Sequence, residues 1–328
     1  MASSRGRSLQ GALLIDKPAG PTSHDVVAFV RRVLNADRAG HTGTLDPLAT
    51  GLLIVLVGSA TRLAQFLGAD EKEYLADVRI GVATPTYDAA SLHDSAPVAG
   101  GWTRDAPAIG EVLSRFRGTF LQTPPPYSAK KVGSVPAYER ARKNQGVELT
   151  PVEVTVRELE VLEWPLPAPG PRLPASGSDV SASLSPLLRL RVAASAGFYV
   201  RSLAHDIGQA LGCGAHLETL RRTRAGRFRV KDAMTLDRLE SEAPARLISP
   251  SELLGHMPAV FVTEIGDKRV THGNPLASIH LERADNPLLS SQTQGAVPLF
   301  RVLNREERLV AVAEPRAGGV LQPIVVLR

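Results

Sequence analysis

The sequence predicts an α+β fold: a large N-terminal unit of mixed strands and helices, then a small β-rich module. Three observations predict it. Segments with period-2 apolar alternation, Glu73 to Val82 and residues 152–162, sit among segments with helical apolar spacing. The two kinds do not follow one another in the regular strand–helix–strand order of a parallel α/β protein. Beyond residue 250, Pro298 to Leu303, Leu309 to Ala313 and Pro323 to Leu327 read as short strands separated by turns. With 328 residues the chain has room for two domains, 11–250 and 251–328, behind a flexible N-terminus of residues 1–10.

Gly11 to Asp16 is a short buried strand, and Lys17-Pro18-Ala19-Gly20-Pro21 turns the chain. Thr22 and Asp25 form a capping box that starts a helix whose apolar stripe is Val26, Val27, Val30, Val33 and Leu34. Leu52 to Val57 is a strand-like apolar run, and Thr61 to Leu67 has helical character. In Glu73 to Val82, apolar Ala76, Val78, Ile80 and Val82 face away from Asp77 and Arg79, as in a half-buried strand. Residues 106–117 and 136–145 are expected helices. Residues 165–187 are a run of Pro, Ser, Ala and Gly, expected to be a flexible loop because it offers little apolar area against chain entropy. Leu187 to Val192 resumes the fold as a strand, and Val200, Leu203, Ile207 and Leu211 mark a further helix. Residues Glu282 to Ala296 read as a loop.

Composition narrows the function classes. A formal charge of +5 and a pI near 9.5 favour a polyanionic partner. Cys213 is the only cysteine, so no internal disulfide forms, and a reducing, cytoplasmic compartment is expected. The apolar stretch Ala12 to Ile15 is too short for a signal-peptide core, and Leu52 to Val57 is far too short to span a membrane. The chain has no GxxxxGK[ST] phosphate loop and no GxSxG elbow. Its eight histidines include no pair three or four apart, so no metal site is expected.

The most informative stretch is Gly40-His41-Thr42-Gly43-Thr44-Leu45-Asp46-Pro47-Leu48-Ala49-Thr50-Gly51. Gly permits positive φ and Pro fixes φ, so this loop has a defined shape and Asp46 a defined direction. A carboxylate held this way can act as a nucleophile toward carbon. The stretch closely resembles the catalytic motif of the TruB family of tRNA pseudouridine synthases, HTGxLDPxAxG. Every fixed position is filled here, by His41, Thr42, Gly43, Leu45, Asp46, Pro47, Ala49 and Gly51.

The resemblance extends over Leu13 to about Glu240 and implies roles for other residues. The Lys17-Pro18 turn matches, which puts Lys17 among the candidate substrate-binding residues. Tyr74 matches the Tyr of a K-x-Y motif, which stacks on the target base and is a candidate for proton transfer. A phenol of pKa near 10 is a poor base at neutral pH, so stacking is the safer role. Gln122 to Lys131 and Ala137 to Arg142 resemble the family's PPxYSAxK and AYExAR block on the RNA-binding surface, which assigns Lys130 and Arg142 to phosphate contacts. Gly197-Phe198-Tyr199-Val200-Arg201 resembles GxYxR, in which the Arg pairs with the catalytic Asp and the Tyr lines the pocket. A positive side chain near a helix start opposes the macrodipole, so Arg201 needs some other partner. Leu220 matches a pocket-lining Leu. The stretch from Leu220 to Lys231 holds six basic and no acidic residues, including Arg221 and Arg222, and is expected to contact phosphates. His41 is implied to fill the gap left by an extruded base. The tail looks like a degenerate PUA-type RNA-binding module.

The activity implied is isomerisation of uridine to pseudouridine at position 55 of the TΨC arm of tRNA, by a monomer without metal or cofactor. Uracil cannot leave N1 and rejoin through C5 while stacked, so the base must be flipped out. Asp46 would attack C1′ of the ribose or C6 of the uracil, and sequence leaves both open. Two other readings compete: an RNA-binding or RNA-folding protein on the same scaffold, and a synthase acting on other RNA or within a guide-RNA complex. The joint presence of Asp46, Tyr74 and Arg201 argues against the first, and the lack of long charged tails against the second.

Overall fold

The apolar runs of the sequence become the centre of one large sheet. The computed structural model describes residues 9–97, 105–128, 131–132, 135–136, 149–166, 185–284 and 298–327. Strand β1 (Gly11–Lys17) leads through the Pro18 turn to helix α1 (Ser23–Val33), β2 (Ala39–His41) and β3 (Thr50–Val57). Helix α2 (Ala64–Gly68) precedes β4 (Lys72–Ile80), and β5 (Val82–Ala83) pairs with β6 (Ala96–Pro97). Helix α3 (Ala106–Ser114), β7 (Gly118–Gln122), the pair β8 (Lys131–Val132) and β9 (Val135–Pro136), and long β10 (Val152–Leu166) follow. Next come β11 (Leu187–Ala194), helix α4 (Val200–Ala210), β12 (Ala215–Ala225) and β13 (Phe228–Arg229).

Among the described residues the main sheet has nine strands in the order β1-β3-β12-β4-β11-β10-β7, with β2 on β3 and β13 on β12. Of these described strands β3 and β12 pair in parallel, and the other pairs are antiparallel. This one parallel joint brings the start of β3, just after Asp46, beside Arg221 and Arg222.

Helix α5 (Leu239–Glu242) and helix α6 (Pro250–Leu253) connect to a five-stranded sheet. Its strands are β14 (Ala259–Val262), β15 (Leu281–Ala284), β16 (Phe300–Leu303), β17 (Leu309–Arg316) and β18 (Val320–Val326), with helix α7 (Glu264–Thr271) beside them. The β-rich end expected from the sequence is present.

The two faces of β1 and β3 explain their unbroken apolar runs. Leu13, Ile15, Leu53 and Val55 join the core beneath Val26 and Val30 of α1 and Leu203 and Ile207 of α4. Leu14, Leu52, Ile54 and Leu56 point the other way and pack with Leu253, Ala259, Val312 and Val325 of the C-terminal unit. Strand β4 lies beyond that second layer, so its outer face is polar and it alternates. There Asp77 holds Arg189 at 2.7 Å and Arg79 holds Glu218 at 2.9 Å. Each fully buried Leu, Ile or Val stabilises by roughly 1.5–3 kcal/mol, whereas the gain from an ion pair as buried as Arg79–Glu218 is offset by desolvating both charges. Two-sided packing therefore dominates the cohesion of the sheet.

Local signals account for several boundaries. Thr22 Oγ1 accepts the Asp25 amide at 3.1 Å and the Asp25 carboxylate accepts the Thr22 amide at 2.8 Å, the reciprocal box that the sequence predicts. The helical stretch expected at 61–67 is split between a 3₁₀ turn, Gly58–Leu63, and α2. The first half of the basic stretch from Leu220 belongs to β12, and only Gly226 and Arg227 separate that strand from β13. Most of the expected 136–145 helix and of the 165–187 loop lies outside the described residues, as do residues 1–8, 285–297, Lys130 and Arg142. Among the described residues no helix is long and apolar enough to cross a membrane.

Candidate active site

Four anchors fix the loop that carries Asp46. The Leu45 amide donates to Ser23 Oγ at 2.8 Å, and that hydroxyl donates back to the Leu45 carbonyl at 2.9 Å. The Pro47 carbonyl accepts the Gly20 amide at 2.8 Å and Lys17 Nζ at 3.3 Å. Arg222 reaches across from β12, giving Nε to the Leu52 carbonyl at 2.7 Å and Nη2 to the Gly43 carbonyl at 3.0 Å. Within the loop the Ala49 amide donates to the Asp46 carbonyl at 3.0 Å, closing a turn with Pro47 at its second position. Gly51, at φ 98°, passes so close to β12 that a Cβ would lie 2.3 Å from the Arg222 carbonyl oxygen.

Arg201 grips Asp46 with two contacts, Nε to Oδ2 at 3.0 Å and Nη2 to Oδ1 at 3.1 Å. The Arg201 side chain is 7% exposed and that of Asp46 34%, so the pair is closed behind the guanidinium and open at the carboxylate. The third nitrogen, Nη1, donates to the Tyr127 carbonyl at 3.1 Å and lies 3.5 Å from Oδ2 of Asp88. One arginine thus serves two carboxylates, which answers the helix-start penalty. Burial pushes the Asp46 carboxyl up from its ordinary value and Asp88 adds to that, while Arg201 and Lys17 pull it down.

A cavity of 390 Å³ opens over Asp46, within the usual range for small-ligand sites. Tyr74 from β4, Leu220 from β12 and Tyr199 at the start of α4 line it, with Arg201 and Lys72. Tyr74 and Leu220 are 9% and 7% exposed, rooted in the apolar core and reaching the cavity only at an edge. Burial raises the Tyr199 phenol, which keeps it neutral. Burial and Arg222 push the Lys72 ammonium down to about 8. Gln122 sets the start of α4 by accepting the Tyr199 amide at 2.8 Å and donating to its carbonyl at 3.0 Å.

The sequence-derived candidates therefore separate into groups. Asp46, Arg201, Tyr74, Tyr199 and Leu220 meet at the cavity. His41 ends β2 one residue before the cavity wall, half-buried, with Nδ1 lacking a hydrogen-bond partner among the described residues. Burial, Arg222 and His24 hold its pKa below the ordinary value, so it is neutral at neutral pH.

Lys17, Arg221 and Arg222 each have partners within the protein that the sequence reading did not foresee. Lys17 is fully buried, and its ammonium donates to the Pro18 and Pro21 carbonyls at 2.8 Å as well as to Pro47. Arg222 is 3% exposed, gives Nε and Nη2 to backbone carbonyls, and also lines the cavity. Arg221 is forked onto Asp16, at 3.0 and 2.7 Å, with its side chain still 40% exposed. Arg224 likewise meets Glu71 at 2.7 Å. In a strand, a basic run finds acids on its neighbours that the linear sequence hides. Arg229 and Lys231 remain exposed.

Sequence reasoning missed Asp88 as the second carboxylate on Arg201, Ser23 as the loop clamp and Gln122 as the helix-start clamp. Thr86 and Asp88 carry a local Asx-type turn, since Asp88 Oδ1 accepts the Ala90 amide at 3.0 Å. That turn was the available signal, but nothing in the sequence aims Asp88 at Arg201. Among the described residues no group of three His, Cys, Asp or Glu side chains is arranged to hold a metal.

The same architecture occurs in solved structures. A structure of an H/ACA RNP bound to a substrate RNA containing 2′-deoxyuridine aligns with a TM-score of 0.66 and 26% identity, covering 97% of this chain and 85% of that one. The archaeal box H/ACA sRNP Nop10–Cbf5 complex aligns with a TM-score of 0.66 and 25% identity, covering 97% and 86%. Fold and site together define a pseudouridine synthase. Residues 31–200 match the TruB family pseudouridylate synthase (N terminal domain), and residues 201–254 the tRNA pseudouridylate synthase B C-terminal domain. The chain belongs to the TruB family. It is 41% identical to the tRNA pseudouridine synthase B of Solibacter usitatus over 97% of this chain and all of that one. It is 44% identical to that of Symbiobacterium thermophilum over 81% and 82% of the two chains.

Proposed function

We propose that the protein isomerises the uridine at position 55 in the T arm of tRNA, with Asp46 as nucleophile and the target base flipped into the cavity. The observation that carries the reading is a carboxylate paired with a buried arginine at the floor of a cavity walled by two tyrosines and a leucine. Relatives matching almost the whole chain are tRNA pseudouridine synthases B, which supports tRNA as the substrate.

The chemistry needs no redox partner. The C1′–N1 bond breaks with its electron pair going to the uracil, the ring turns, and C5 bonds to C1′. The C5 proton is then lost and N1 gains one, so atoms and charge balance. Attack by Asp46 at C1′ expels uracil through N1, and C5 then displaces the carboxylate from C1′; attack at C6 forms a bond that breaks again once C5 has joined C1′. Both routes need an ionised carboxylate free at one edge. Arg201 holds the ionised form and its direction, while Tyr74, Tyr199 and Leu220 replace the stacking given up on flipping, a cost of a few kcal/mol. His41, neutral and just outside the cavity, suits the vacancy in the RNA stem better than proton transfer. The C-terminal five-stranded sheet serves as a PUA-like RNA contact. The enzyme acts in the cytoplasm.

A second reading, action within a guide-RNA complex, draws on the likeness to H/ACA proteins. The greater identity to tRNA pseudouridine synthases B favours the stand-alone tRNA reading. The test is to treat an isolated T-arm stem–loop and rRNA with the purified chain, tag pseudouridine with a carbodiimide that adds mass at its ring nitrogen, and map the tag by nuclease digestion and mass spectrometry. Modification at position 55 alone is expected. Modification elsewhere, or only of rRNA, would sink the assignment.

A further inference from the structure

Tyr87 occupies backbone space that a tyrosine enters at a cost. Its φ is 63°, in the left-handed region where glycine is free of penalty and a bulky side chain is an outlier. Such a conformation persists when surrounding contacts over-determine it. The contacts here are specific. The Tyr87 ring stacks on His205, with centroids 3.8 Å apart and planes 10° from parallel. Its amide donates to the Thr84 carbonyl at 3.2 Å, and its carbonyl accepts the Leu217 amide at 3.0 Å.

His205 lies four residues after Arg201, on the same face of α4. The next residue after Tyr87 is Asp88, which approaches Arg201. Two consecutive residues of the 84–88 segment thus engage two positions of α4 one turn apart. The other Asp88 oxygen is held within its own turn, by Thr86 Oγ1 at 2.6 Å and the Ala90 amide. His205 Nδ1 is buried with no hydrogen-bond partner among the described residues, so the ring engages Tyr87 through its face. Burial also keeps this imidazole neutral near neutral pH.

We propose that Tyr87 is a positioning residue: clamped on His205, it sets Asp88 against Arg201, and through Arg201 aims the Asp46 carboxylate. The proposal rests on the reading of Asp46 as the reacting group. A side chain needed only for bulk would not explain an aromatic residue at a glycine-favouring φ. The parallel stack does, because a flat face on a flat face fixes the rotation of the turn.

The test uses the full chain with Tyr87→Phe, Tyr87→Gly and Tyr87→Leu, measured by single-turnover isomerisation and by tRNA affinity. Phe keeps the ring face and holds the rate within about twofold of wild type. Gly relieves the backbone and Leu keeps bulk, yet each slows the reaction about tenfold at unchanged tRNA affinity, by letting the carboxylate drift. Adding Asp88→Asn to Tyr87→Gly costs no more than Asp88→Asn alone, because the ring acts through Asp88. A Gly variant as fast as wild type, or fully multiplicative losses, would overturn the proposal.

A second measurement needs no substrate: ¹³C NMR titration of the Asp46 carboxyl. Its midpoint moves by about half a pH unit or more in Tyr87→Gly if Asp88 and Arg201 shift together. An identical midpoint would overturn the clasp. Failure of the wild type to isomerise any uridine would instead sink the proposed function, leaving the titration to decide the clasp.

Discussion

Arg201 and Asp46 form a forked pair in which the guanidinium is buried and the carboxylate keeps an open edge. The same guanidinium faces Asp88, whose side chain is 5% exposed. Removing Arg201 therefore leaves one carboxylate misdirected and another buried without a counter-charge. Arg201→Met is expected to cost about 3–5 kcal/mol of stability and to abolish measurable turnover. Arg201→Met combined with Asp88→Asn should recover stability without recovering activity. Thermal melts and single-turnover assays check both, and recovery of activity would show that the Asp46 pair is not needed.

Acid should silence the enzyme early. Asp46 reacts as the ionised form, and burial raises its pKa above the ordinary 3.8, so protonation sets in at higher pH than for a free carboxyl. The single-turnover rate is expected to fall on acidification with a midpoint above that value. A rate flat down to ~pH 4 would contradict it.

Asp206 gives a stability signature of its own. Burial raises its carboxyl from 3.8 to about 6. A carboxyl raised on folding stabilises in its protonated form; that contribution is full below the unfolded value and is lost as pH rises through about 6. Asp206→Asn, neutral throughout, should raise the melting temperature near pH 8 by ~2–4 °C and leave it unchanged near pH 4. The figure allows for the partial exposure of the residue, which weakens the effect. An equal shift at both pH values would point to packing instead.

Much of this was legible beforehand, and the reasons are local. The Thr22–Asp25 box, the apolar stripe of α1 and the alternation of β4 encode their own conformations within a few residues. The loop of Asp46 announced its rigidity through Gly and Pro. The partners of Lys17, Arg221 and Arg222 were not legible, because burial and cross-strand pairing come from residues 30 to about 200 positions away, such as Pro47 and Asp16. Asp88 was hidden for the same reason: its partner on α4 is set by the sheet order, which no local pattern states.

Gly51 is the clearest case of a motif residue explained by a close approach. Its φ of 98° and the 2.3 Å separation of a hypothetical Cβ from the Arg222 carbonyl oxygen leave no room for a side chain. Gly51→Ala should destabilise by more than about 2 kcal/mol and disturb the Asp46 loop. A variant as stable and active as wild type would show that β3 and β12 can part without cost.

Salt dependence will separate the basic residues. Affinity for tRNA should fall with salt, and Arg229→Gln with Lys231→Gln should flatten the slope by about 0.7–0.9 for each phosphate no longer neutralised. Arg222→Gln should instead lower the melting temperature. An unchanged slope in the double variant would place the phosphate-binding residues elsewhere on the surface.

The central claim is that Asp46 carries the reaction, and tritium release from tRNA labelled with [5-³H]uridine tests it most directly. Wild type should release tritium, while Asp46→Asn should release none and still bind the tRNA. Release by the variant at the wild-type rate would contradict the nucleophile, and absence of release from wild type with tight binding would contradict the enzyme.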